Sequence, residues 1–207
     1  METQKTKKRR VRNSLSQKEI LDVAEAILVE EGIQNLSMRK ITNRLGCSVA
    51  SPYAYFSSIE EIAKGLLQRG EETLKKMIRD FQDQAPKDSF SQLGAVARAY
   101  WAFARQHREF HKLMFQVGEG ILHRKLFSVI PSSYRIFLST LKKGIKSGEF
   151  KFQRKDYPSL ARTMWAWIYG LIVLDLTGIL HLNQEKNDPL EEGISLFNEL
   201  LRQGRFS

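Results

Sequence analysis

The sequence predicts an all-α protein of about nine helices, in which a small three-helix domain precedes a larger helical one. Three observations carry that expectation. Apolar residues recur at three- and four-residue intervals between Ser or Asp caps and closing glycines, which places them on one face of a helix. No run alternates apolar and polar residues as a half-buried strand would. The composition is globular, 42% hydrophobic and 10% aromatic over 207 residues, so a sizeable core can be buried.

The elements follow in order. Residues 1–13 form a basic tail with Lys5, Lys7, Lys8, Arg9, Arg10 and Arg12 against Glu2, expected to be a flexible arm because like charges repel and nothing apolar can be buried. Ser16 opens the first helix with Glu19 as a capping box; Ile20, Val23, Ala24, Ile27 and Leu28 form its stripe, and Gly32 closes it. Ser37 caps a shorter second helix with Ile41 and Leu45 inward, ended by Gly46. Ser48 begins a third, with Tyr53 and Phe56 expected inward. Ser57 or Ser58 caps a long fourth helix through Ile78, with Glu60 and Glu61 in its first turn and Gly70 as a bend. After the polar stretch around Pro86 come helices at Phe90 to Gln106, Arg108 to Val117, Pro131 to Ser147, Tyr157 to Leu180 with Asp156 as its cap, and Pro189 to Gln203.

Charge and chemistry narrow the function. The net charge of +10 favours a polyanionic partner, nucleic acid or an anionic membrane surface. One cysteine, Cys47, excludes a disulfide framework within the chain and suggests a reducing compartment; its side chain reads as a small apolar residue. The most apolar run, Met164 to Leu174, is too short to span a bilayer, and no signal peptide pattern is present, so a cytoplasmic protein is expected. His107, His111 and His123 lack zinc-motif spacing, and no nucleophile–base pair or phosphate-cradling glycine loop is present. Neither a metal, a cofactor nor an enzymatic activity is expected. The cluster Lys142, Lys143, Lys146, Lys151, Arg154 and Lys155 reads as a solvated face.

Ser37 to Phe56 carries the sharpest pattern. Two short helices joined by a glycine-containing turn pack steeply, so that the second lies in a DNA major groove while the first crosses the backbone. Outward residues on such a helix should be small or polar, as Val49, Ala50, Ser51, Ala54 and Tyr55 are, with Tyr55 and Ser51 as expected contacts. Ser37, Met38, Arg39, Lys40 and Arg44 on the preceding helix stand near phosphates in this reading.

The stretch Leu36-Ser37-Met38-Arg39-Lys40-Ile41, then Leu45-Gly46-Cys47-Ser48, then Pro52-Tyr53-Ala54-Tyr55-Phe56 through Ile62 resembles the DNA-binding domain of the tetracycline-repressor (TetR) family. Ala99-Tyr100-Trp101-Ala102-Phe103-Ala104, Leu113-Met114-Phe115 and Trp165-Ala166-Trp167-Ile168-Tyr169-Gly170 resemble the ligand-binding domain of its WHG-type subgroup, whose pattern reads tryptophan, then histidine-glycine. Two positions depart from the pattern. Ile59 stands where the family carries a phosphate-touching lysine, which leaves that role to helix N-terminal amides and Lys64; Tyr169 replaces the subgroup's histidine.

The resemblance implies residues 14–60 as the helix-turn-helix domain and 61–207 as the ligand-binding and dimerisation domain. It implies a phosphate contact from Tyr53 and a homodimer through the last two helices, which agrees with the all-round apolar run Trp165 to Leu174 and the extra Leu196 and Leu200. It further implies a pseudo-palindromic DNA operator and a small-molecule effector that releases the protein from it. Aromatic residues beyond the needs of a modest core mark the expected effector pocket: Tyr100, Trp101, Phe103, His107, Phe115, Tyr134, Trp165 and Tyr169. Two other functions stay open at this stage, a helical enzyme or carrier with an incidental helix-turn-helix, and non-specific nucleic-acid binding driven by charge.

Overall fold

The structure is a computed structural model that describes residues 15–115, 132–181 and 188–204. The basic arm, His123, Pro131 and the predicted end of the short helix at Val117 lie outside the described residues. Among the described residues there are eight α-helices and no strand: α1 Gln17–Glu31, α2 Met38–Leu45, α3 Ile59–Gln84, α4 Ser89–Gln106, α5 Arg108–Phe115, α6 Ser132–Ser147, α7 Tyr157–Leu176 and α8 Pro189–Gln203. They divide into two compact units. One takes in residues 15–70 and 109–115, the other 71–108, 132–181 and 188–204.

In the first unit the helix starts follow the caps. Ser16 Oγ accepts from the Glu19 amide at 3.2 Å, and Ser37 Oγ from the Lys40 amide at 3.3 Å. Ile20, Ala24, Ile27 and Leu28 of α1 meet Ile41 of α2 and Ile62, Ala63 and Leu66 of α3 in a core from which water is excluded. Each large aliphatic buried there is worth about 2 kcal/mol. Gly70, expected as a bend, lies within an unbroken α3. Its missing side chain lets α5 approach: a Cβ there would lie 2.7 Å from Met114 Sδ and 2.9 Å from Phe110 Cδ1.

The third helix of the expected trio is one 3-10 turn, Pro52–Ala54. The cause is Pro52, which has no N–H to donate to the Ser48 carbonyl and whose ring crowds it. That carbonyl accepts instead from the Ser51 amide at 3.0 Å, and the chain proceeds by tight turns through Ala54 to Ser51 and Tyr55 to Pro52. The inward pair becomes Pro52 and Phe56, four apart and joined by the Phe56 amide to Pro52 carbonyl bond of 2.9 Å. Tyr53, expected inward, is turned out to solvent.

In the second unit α4 packs against α6, α7 and α8, and α7 against α6 and α8. Asp88 caps α4 through the Ser91 amide, and Asp188 caps α8 through the Leu190 amide, both at 2.9 Å. Glu149 accepts from the Ser89 amide and hydroxyl at 2.7 Å each, tying the start of α4 to the residues after α6; these bonds lower its pKa. Arg98 grips Glu191 through two bonds of 2.6 Å and so joins α4 to α8. The predicted helix to Leu180 stops at Leu176, because Gly178 turns left-handed at φ 79° and a separate 3-10 turn follows at Ile179–His181. Asp156, expected to cap α7, accepts instead from the Gln153 amide within the preceding 3-10 turn. The cationic cluster from Lys142 to Lys155 is exposed as expected.

Candidate nucleic-acid interface and effector cleft

The turn between α2 and α3 presents the first candidate site. Gly46 takes the left-handed conformation at φ 67° that ends α2 and turns the chain sharply. Beyond it Ser48, Val49, Ala50, Tyr53 and Ala54 are exposed, with Val49 and Tyr53 each at 51%. Ser51 is half-buried and shares a hydrogen bond with Ser48, oxygen to oxygen 2.8 Å. The two tyrosines have exchanged their expected places. Tyr55 is half-buried, and its hydroxyl donates to the Leu15 carbonyl at 2.6 Å, pinning the turn to the residues before α1. Tyr53 carries the phenol that faces outward.

The basic residues of α2 have distinct surroundings. Arg39 is exposed and makes no ion pair among the described residues. Lys40 is paired with Glu31, and Arg44 lies 2.6 Å from Glu31 and 2.7 Å from Glu30. Hydrogen bonds from Lys40 and then Arg44 hold the Glu31 carboxyl below its ordinary pKa. Both cations therefore brace α1 against α2. Ser37 is occupied as a cap and Met38 is 8% exposed, so its side chain belongs to the core. A second clamp, Arg69 to Asp22 at 2.8 Å and to Glu25 at 2.6 Å, ties α3 to α1.

At the start of α3 Ile59 is half-buried and Lys64 is exposed. The anion at this helix end is the protein's own: Glu61 Oε2 accepts from the Ser57 amide at 2.6 Å and hydroxyl at 2.9 Å, which lowers its pKa. Cys47 is half-buried beside the turn.

The second unit includes the following two concavities. An apolar cleft is lined by Leu93, Val96 and Ala97 of α4, Phe137 of α6 and Met164, Trp165, Trp167 and Ile168 of α7, with Tyr100. Its free volume is about 30 Å³, the room of a water molecule or so. Trp165 lies at the centre of the aromatic packing, stacked on Tyr100 at 4.9 Å and edge-on to Tyr134 at 4.6 Å. Burial pushes the Tyr100 hydroxyl well above its usual pKa, so it stays protonated. The other concavity, about 270 Å³, is a polar groove lined by Gln82, Lys87, Ser89, Gln92, Ser139, Thr140 and Lys143. The Gln82 and Gln92 amides there already donate to backbone carbonyls and to Thr140.

Of the aromatics expected to line a pocket, Tyr100 and Trp165 line the cleft, and Tyr134 packs on Trp165 behind it. Phe103 is fully buried and stacks on His107, 5.3 Å between ring centres. Phe115 belongs to the first unit, beside His111 at 5.2 Å. Trp101 and Tyr169 are half-buried outside the cleft lining. The aliphatic lining at Leu93, Val96, Met164 and Ile168 escapes a sequence reading because a cleft wall and a core face share one helical period. Among the described residues no group of His, Cys, Asp and Glu could hold a metal ion, and no helix is long and apolar enough to cross a membrane.

The comparisons with known proteins bear on both units. A family model described as bacterial regulatory proteins, tetR family, matches residues 20–66, and one described as tetracyclin repressor-like, C-terminal domain, matches residues 93–197. No curated protein matches the chain. Similar solved structures include a protein of unknown function from Rhodococcus sp. RHA1, with 21% identity, 90% of this chain and 93% of that one covered, and a TM-score of 0.69. The transcriptional regulator FadR from Bacillus subtilis, solved in complex with stearoyl-CoA, is 19% identical over 92% of this chain and all of its own, with a TM-score of 0.65. The TetR family transcriptional regulator PfmR from Thermus thermophilus is 18% identical over 91% of this chain and 99% of its own, with a TM-score of 0.57. With both of its units matched by the family's models, the chain belongs to the tetracycline-repressor family of bacterial regulatory proteins.

Proposed function

We propose that the protein is a ligand-responsive transcription regulator, a repressor that holds a pseudo-palindromic operator as a homodimer and releases it when a small molecule occupies the larger domain. The observation that carries this reading is the exposed turn at Ser48–Ala54, stabilised from behind by Phe56, Tyr55 and the Glu31 clamp, in a chain of net charge +10. Small outward residues let such a turn approach base edges closely, and Tyr53 and Arg39 reach phosphates beside it. Residues 14–60 carry the reading, and residues 61–207 bind effector and partner. Lys40 and Arg44 contribute through the fold, since acidic partners already hold them.

The dimer is supported by apolar side chains left on α7, the 3-10 turn after it and α8: Val173, Leu174, Ile179 and, at 73% exposure, Leu196. Exposed large apolar residues gathered on consecutive elements call for a partner surface. The effector enters the apolar cleft around Trp165, which must open to admit it, since a drug-sized ligand needs roughly 300 Å³ or more. The solved complex of FadR with stearoyl-CoA supports a ligand with a long apolar acyl chain on this fold. An effector releases DNA only if it binds the non-DNA conformation better. The reading makes the protein a cytoplasmic binding protein without cofactor or catalysis.

A footprint of the purified protein on the DNA flanking its own gene tests the proposal. It predicts a protected, two-fold related site that survives excess random duplex at physiological salt. Absence of any protected site, or loss of protection to random competitor, would refute it.

A further inference from the structure

We infer that the turn reads its operator through thymine methyl groups, so that the base pairs facing Val49, Ala50 and Ala54 are A·T. This rests on the DNA-binding reading above and adds the base class to it. Side chains that recognise bases by paired hydrogen bonds are few: Arg or Lys for guanine, Asn or Gln for adenine, Asp or Glu for cytosine. From Gly46 to Phe56 the chain contains none of them. The hydrogen-bonding side chains of that segment are also spoken for in part. Ser48 and Ser51 bond to each other at 2.8 Å, and the Tyr55 hydroxyl is committed to the Leu15 carbonyl at 2.6 Å. Of the three cations of the adjoining helix, Lys40 and Arg44 are paired with Glu30 and Glu31, and the exposed Arg39 is assigned above to a phosphate.

The turn offers apolar surface in their place. Val49 is 51% exposed, and Ala50 and Ala54 of the same turn are exposed as well. Among the described residues about half of this valine's surface is left open, more than a packing role requires. In a major groove its apolar partner is the C5-methyl of thymine, the one apolar group that any base pair displays there. Tyr53, equally exposed, has a hydroxyl for the phosphate that flanks the contacted step.

The test selects binding sites from a random-sequence duplex library with the full chain. Each thymine of the selected sequence is then replaced singly with 2′-deoxyuridine, which removes only the methyl. The inference predicts A·T pairs at the same positions of both half-sites, and one or two dT to dU replacements per half-site that weaken binding about fourfold each, the value of one buried methyl. It also predicts that V49A lowers the sensitivity at one of those positions and leaves the others unchanged. A selected site with G·C pairs at the turn, or dU replacements without effect, overturns the methyl readout and leaves the DNA-binding reading standing. Failure of any sequence to enrich over the pool overturns both.

Discussion

The two units of this chain hold their functional residues in opposite ways. In the first, the side chains that face outward at the turn lie outside the core: Val49, Ala50, Tyr53 and Ala54 are exposed, and the turn is held by what lies behind it. Phe56 is buried, Tyr55 is bonded to Leu15, and Glu31 and Arg69 clamp the helices to one another. In the second, most of the residues lining the cleft, among them Leu93, Val96, Tyr100 and Phe137, also belong to the buried core. Trp165 stacks on Tyr100 and abuts Phe137 and Tyr134, so a change at these aromatics disturbs the packing as well as the cleft. The difference teaches that exposed surface and stability are separable at the turn and joined at the apolar cleft.

Substitutions of similar size in the two units sharpen that contrast. A Cβ on Gly193 of α8 would overlap the Trp167 indole, so G193A should cost about 3 kcal/mol in urea unfolding, the upper range of overpacking. A50S and A54S at the exposed turn should stay within about 0.5 kcal/mol of the parent. Equal effects would erase the distinction.

A pH series probes the interior of the first unit. His111 is 3% exposed, and burial lowers its pKa from 6.5 to about 4. The unfolded chain therefore binds a proton between those values that the folded chain does not, and stability falls as pH drops through that window. From about pH 7 to pH 5 the loss assignable to His111 is about 2 kcal/mol, and H111F should abolish it. A parent stability that is flat over this range would contradict the burial argument.

Smaller effects separate the tyrosines and the clamps. Y55F removes a hydroxyl bonded to Leu15 and should cost about 1 kcal/mol in unfolding. Y53A should leave stability nearly unchanged. For Glu31 the folded pKa lies below the ordinary 4.5, so its stabilisation is present above that value and fades as pH falls through the lowered one. E31Q should unfold slightly earlier than the parent at neutral pH and coincide with it in acid, read from thermal melts.

Much of this was legible in the residues. Ser16 and Ser37 each satisfy a first-turn amide, because a short side-chain oxygen before an apolar stripe has little else to do, while Asp156 caps the 3-10 turn before α7 and not α7 itself. The turn itself was read from spacing and glycine, but its inner detail was not. Pro52 suits the first turn of a helix, and only the backbone shows it replacing Tyr53 beside Phe56 and ending helical pairing at the Ser48 carbonyl. Gly70 is another case, since a helix break and a close approach both call for glycine and only Met114 and Phe110 decide between them. The pairing of Lys40 and Arg44 with Glu31 crosses nine and thirteen residues, beyond any local rule. The cleft was half found: aromatic excess pointed to Tyr100 and Trp165, while its aliphatic walls look like any core.

The most direct test of the outward and inward tyrosines is a pair of affinity measurements on the footprinted operator, at physiological salt with excess random duplex. The account predicts that Y53A weakens binding by about tenfold or more, the worth of a hydrogen bond to a charged phosphate, while Y55F binds within about twofold of the parent. Loss of binding in Y55F with Y53A unaffected would contradict it, because the turn would then read DNA through the residue that the fold holds against Leu15.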